Sequence, residues 1–171
     1  KEEMREKVRE LARNNFRGGA NCAESVYLAL VESGLVELPP ETVALATAFV
    51  GGIGLTCGHC GALIGEVMGV SAIHGRNKPL DGTREEIIES LYGNPGRYRF
   101  FNQIPHKFAE KFGAVTCAEL NKDYDEWFNK DRFRNCMNIT IETAVMAVDF
   151  IFQGKEEGYT QTFGKNLAKK V

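Results

Sequence analysis

CGHCGALIGEVMGVSAIH, residues 57–74, is the stretch on which the fold turns. Gly61, Gly65 and Gly69 recur every fourth residue, which on a helix places them on one face. That face carries no side chains, so a neighbouring helix or a ligand can approach very closely. Each glycine weakens the helix by about 1 kcal/mol. Thr56 is a suitable N-cap, so the helix is expected to run from about Cys57 to His74. The letters CGHC also occur in disulfide isomerases of the thioredoxin fold, but there they follow a β-strand within a βαβ unit. Here residues 42–50, TVALATAFV, read as a helix, and residues 51–56, GGIGLT, as a Gly-rich turn. Thioredoxin identity is rejected, while the chemistry of a paired dithiol is kept.

Working towards the N-terminus, Pro39-Pro40 opens the TVALATAFV helix. It is apolar nearly all round and is expected to be buried. Asn21 as N-cap and Glu24 three residues on form a capping box, followed by Val26, Leu30 and Val31, with Gly34 as the stop. Residues 2–15 place Met4, Val8 and Leu11 at helical spacing, broken by Gly18-Gly19.

Towards the C-terminus, residues 77–82 form a loop. Thr83 and Glu86 make a second capping box ahead of Ile87, Ile88 and Leu91. Asn94-Pro95 opens a helix carrying Phe100, Phe101, Ile104 and Phe108, interrupted by Pro105 and closed by Gly113. Cys117 begins a short helix, CAEL. Trp127 and Phe133 join the phenylalanines as expected core. A last helix is expected from Cys136 to Gln153, stopped by Gly154. No period-2 strand, internal repeat or dividing linker occurs. The chain therefore reads as all-α: a compact bundle of about six to eight helices. One domain covers residues 1–154, and residues 155–171 form an exposed C-terminal tail.

The chain has 171 residues, is 43% hydrophobic and carries a formal charge of -2. It lacks a basic run, which argues against nucleic acid. No apolar stretch reaches the roughly 18 residues expected of a membrane span, and the charged opening KEEMREKVRE is no signal peptide. Five cysteines form an odd set, unlike a secreted disulfide scaffold, so a reducing, cytoplasmic setting is expected.

Those cysteines are the candidates for chemistry. Cys22 follows its N-cap directly, Cys57 and Cys60 stand in the first turn of their helix, and Cys136 opens the last one. A helix N-terminus favours thiolate over thiol and so lowers the pKa. His59 is a metal ligand or a solvent-facing side chain; His74 and His106 read as structural or surface residues. The C-x-x-C-H of covalent haem is absent, as are the P-loop, H-E-x-x-H and G-x-S-x-G signatures.

NCAESV at 21–26, GGIG at 51–54, CGALIG at 60–65, VTCAEL at 115–120 and the late Cys136 together resemble one family. It is the C_GCAxxG_C_C family of bacterial and archaeal redox-active proteins, matched over about residues 16–152. The motif positions are Cys22, Cys60-Gly61-Ala62 with Gly65, Cys117 and Cys136. The central motif departs from the family's spelling, reading CGALIG for GCAxxG, and Cys57 is additional to the pattern. The resemblance implies a helical domain with a redox or metal-linked role. A related domain occurs in a multi-haem cytochrome, but the missing haem motif keeps haem from being carried over.

Three readings stay open. In a thiol redox protein Cys60 attacks and Cys57 or Cys22 resolves, with a partner protein or a small thiol as the other reactant. Alternatively Cys22, Cys60, Cys117 and Cys136 ligate an iron–sulfur cluster or zinc, with Gly61 and Gly65 beside the cofactor. In the third, the chain is a helical interaction module with incidental cysteines. The glycine stripe also suits pairing between chains, as in a homo-oligomer.

Overall fold

The computed structural model describes residues 1–166 and 168. The elements in order are α1 (Glu2–Arg17), α2 (Cys22–Glu32), a 3₁₀ helix (Pro40–Phe49), α3 (Gly61–His74), α4 (Arg84–Tyr92), α5 (Arg97–Phe101), α6 (Gln103–Phe112), α7 (Cys117–Leu120) and α8 (Lys130–Glu157). The fold is all-α. Among the described residues the sole extended pairing is an isolated bridge between His59 and Thr116.

The glycine stripe seats α3 on α2. A Cβ at Gly61 would collide with Cys22 Sγ, one at Gly69 with Leu30 Cδ1, and one at Gly65 would lie 2.6 Å from the Ala23 carbonyl oxygen. The adjacent face of α3, through Ala62, Glu66 and Val70, is fully buried, and α3 also packs on α8. The two helices run parallel: Gly61 and Thr140 flank one cavity, while His74 lies over Gly154 with its Nε2 3.0 Å from the Ile151 carbonyl oxygen. Both expected capping boxes are present, Asn21 with Glu24 and Thr83 with Glu86. Pro105 falls in the first turn of α6, where its missing N–H leaves no bond unmade; the interruption itself is at Asn102.

Several expectations change. Residues 40–49 form a 3₁₀ helix, not a buried α-helix: only Ala46 is buried, and Leu45 is 69% exposed. The segment packs mainly on α2, where Tyr27 Oη and Thr42 Oγ1 meet at 2.7 Å, and touches α3 at its end, where Phe49 O lies against Gly61. Helix α3 begins at Gly61 rather than Cys57. The backbone of residues 57–60 bonds across to residues 115–118, through Cys117 N to Gly58 O (2.7 Å) and Cys60 N to Val115 O (2.8 Å). Those groups are then taken up and cannot start a helix.

Helix α8 begins at Lys130, ahead of Cys136, because Asn129 Oδ1 accepts from the amides of Asp131 and Arg132. It continues through Gly154, whose missing side chain makes room for the His74 ring, and ends at Gly158 with φ 69°. Against the sequence expectation, α8 is long and apolar enough to cross a membrane by length and composition. More than half of its apolar window, 56%, is buried inside the fold. The boundary drawn at residue 154 thus falls inside a helix. The following segment docks: Tyr159 Oη is 2.8 Å from His74 Nδ1, and Gly164 N donates to Asn102 Oδ1 at 2.7 Å. Of the expected exposed tail, residues 167 and 169–171 lie outside the described residues.

Candidate functional site

Four separate elements each deliver one cysteine. Cys22 is the first residue of α2, fixed by the Asn21–Glu24 box. Cys60 is the N-cap of α3. Cys117 opens α7, where Thr116 Oγ1 accepts from Glu119 N. Cys136 sits in the second turn of α8. All four line one cavity of about 250 Å³, whose remaining wall includes Phe16, Val50, Leu120, Trp127, Phe133 and Ile139.

Cys57 is placed elsewhere. At Cys57 the backbone is left-handed, φ 59°, and its side chain opens onto a neighbouring hollow that shares Cys117, Asn121, Trp127 and Arg132 with the main cavity. The structure therefore does not bring Cys57 and Cys60 to one wall. Cys57 Sγ instead donates to the Leu55 carbonyl oxygen at 3.6 Å. All five thiols are free.

The expected depression of the thiol pKa values is overturned. Burial pushes Cys60 up to about 12, reinforced by the thiols of Cys22 and Cys136. Burial also takes Cys117 to about 12, with Cys57 adding to it. Cys22 is raised by burial against the pull of backbone amides. Desolvation disfavours the charged form, and in an apolar cavity it outweighs the helix ends. Cys136 is raised by burial too, but the Arg132 charge opposes it. Arg132 Nη1 donates to Cys136 Sγ at 3.3 Å. Asn121 ties two thiols together: its Oδ1 accepts from Cys136 at 3.3 Å and its Nδ2 donates to Cys117 Sγ at 3.5 Å. Arg132 stacks on Trp127, 3.7 Å from the ring centroid, and its Nε donates to the Trp127 carbonyl oxygen.

Gly61 lines the cavity, as a cofactor-contacting glycine would. Gly65 is covered by Ala23 and Val26 of α2 and makes helix packing instead. His59 is exposed. His74 is buried and hydrogen-bonded, its pKa lowered by burial. Among the described residues no three His, Cys, Asp or Glu side chains are grouped to hold a metal ion; the four thiols are spread around the cavity wall.

The sequence reading missed Arg132, Asn121 and Glu66. Arg132 and Cys136 are four apart, neighbours on one helix face, a signal visible only once α8 is started at Lys130. Trp127 and Phe133, expected in the core, line the cavity. Glu66 is fully buried, and neither carboxyl oxygen has a hydrogen-bond partner, nor do the hydroxyls of Thr140 and Thr143 on the facing helix. Burial holds the Glu66 carboxyl well above the usual carboxylate range.

A family model described as "Putative redox-active protein (C_GCAxxG_C_C)" matches residues 20–150, a span containing every cysteine of the chain. The chain is also similar to a protein of Archaeoglobus fulgidus described as uncharacterized. The two are 31% identical over 119 residues, 70% of this chain and 76% of that protein. No solved structure matches the chain.

Proposed function

The chain belongs to the C_GCAxxG_C_C family, and from that membership we propose that its cavity cysteines carry out thiol–disulfide exchange. One observation carries the reading: Cys22, Cys60, Cys117 and Cys136, brought from four elements of the chain, line a single cavity. Cys136 is the attacking thiol, because Arg132 stands ready to stabilise the thiolate as it forms. Cys117, tied to it through Asn121, resolves. Cys60, the attacker expected from the motif, is pushed up to about 12 by burial, as Cys117 is, and among the described residues no cation stands beside it to favour its thiolate as Arg132 does for Cys136. The oxidised partner's disulfide is split into two thiols as two protein thiols join, so electrons and protons balance. Free thiols of odd number suit the cytoplasm or another reducing compartment.

The test is a thiol and metal count with a visible spectrum on protein purified without oxygen. The expected sample is colourless and metal-free. Its thiol count should fall by one pair on mild oxidation and recover with reductant, and Cys136→Ser or Cys117→Ser should abolish that change. Stoichiometric iron or zinc, lost in the serine variants, would overturn the reading and make the cysteines ligands.

A further inference from the structure

We infer that the cavity takes a small organic anion bearing sulfur, a low-molecular-weight carboxylate thiol or its disulfide, with Arg132 as its counter-charge. This rests on the exchange reading above and names its substrate class. Arg132 is only 9% exposed, yet no acidic side chain among the described residues lies within ion-pair distance of it. The more exposed Arg9, by contrast, pairs with both Glu6 and Glu142. Two of the Arg132 nitrogens are used, Nε on the Trp127 carbonyl oxygen and Nη1 on Cys136 Sγ, while Nη2 makes no hydrogen bond among the described residues. A buried cation without an anion is expensive to hold, and stacking on the Trp127 face offsets only part of that. The thiols do not supply the anion at rest, since burial raises Cys136 above its ordinary value. Asp125 and Glu126 line the outer hollow with Arg132 without pairing with it, so on the side of the main cavity the negative charge is brought by the ligand.

The rest of the cavity limits that ligand. Its wall is mostly apolar, Phe16, Val50, Leu120 and Ile139 among it, with sulfur at four points. At about 250 Å³ it is smaller than the roughly 300–1,000 Å³ that holds a drug-sized molecule. The ligand is thus short, with a compact soft body and one anionic end. In the exchange, Cys136 Sγ attacks one sulfur of the substrate disulfide and the first substrate thiolate leaves with the Cys136 proton. Cys117 Sγ then attacks Cys136 Sγ, releasing the second substrate thiol. The protein is oxidised by two electrons and the substrate disulfide reduced by two.

The experiment compares three small disulfides against the reduced protein: dithiodiglycolate (anionic), bis(2-hydroxyethyl) disulfide (neutral) and cystamine (cationic), following thiol loss. Dithiodiglycolate should react about 10- to 100-fold faster than the neutral compound, the worth of one charge-assisted hydrogen bond, and cystamine slowest. Arg132→Met should slow all three, because Cys136 loses its neighbour, but should slow the anion most and erase the preference; Arg132→Lys should keep part of it. A measurement on the unmodified chain guards against a variant that fails to fold. The unreactive anion (methylthio)acetate should protect the thiols competitively from the neutral disulfide, and its amide should not. Equal rates for the three disulfides, or equal protection by acid and amide, would overturn the anion site while leaving thiol exchange standing. No reaction with any of the three, in protein whose thiols titrate, would overturn the exchange reading and the inference with it.

Discussion

Glu66 is a carboxylic acid sealed inside the fold with both oxygens unpaired. Burial holds it neutral in the fold, whereas in the unfolded chain it titrates near its ordinary 4.5. Above that pH the unfolded chain has released the proton and the folded chain has kept it. Stability must then fall as pH rises from about 4.5 towards the folded value, by up to about 1.4 kcal/mol per pH unit. Glu66→Gln should remove this slope. Urea midpoints of both proteins across that window would show it, and parallel curves would mean the acid is not neutral. At this scale the four cavity cysteines were legible, because type and order in a motif carry them. Glu66 and Arg132 were not: single charged residues look the same whether solvated or sealed, and only packing distinguishes them.

Between elements, the α2–α3 contact depends on what each glycine faces. Gly65 meets a backbone carbonyl, that of Ala23, which cannot yield without moving α2, whereas Gly69 meets the end of the Leu30 side chain, which can rotate. Both alanine variants gain about 1 kcal/mol of helix propensity. Gly65→Ala should nonetheless destabilise by about 1–3 kcal/mol through overpacking, and Gly69→Ala should cost clearly less. The reverse ranking in denaturant melts would show that α3 is not pinned at Gly65. The caps at Asn21 and Thr83 could be read because side chain and spacing coincide. The start of α8 could not, since Asn129 lies in a stretch where several Asn and Asp residues would serve as N-cap. The 3₁₀ helix at 40–49 was misjudged because apolar composition reports what could be buried, not how many sides are covered: Ala46 is buried while Leu45 stays exposed.

Across the whole molecule, the all-α class followed from missing strand periodicity, which needs no tertiary information. The docking of the segment after α8 did need it. Tyr159 packs on Phe100 and His74, with centroids 5.6 Å from each, and lies beside Arg97. Tyr159→Ala should therefore cost about 2–4 kcal/mol, seen as a lowered thermal midpoint; no change would mean that the segment is loose in solution. The cavity was equally illegible as a volume, because four distant elements make it. Its wall has a further consequence. Cys117 faces the main cavity and also the hollow that holds Cys57. One thiol served from two sides lets an oxidant on one face and a reductant on the other be present together. Steady-state rates should then show parallel double-reciprocal lines, because the protein disulfide separates the two half-reactions, yet an inhibitor lodged in the inner space should not compete with a reactant arriving at the outer one.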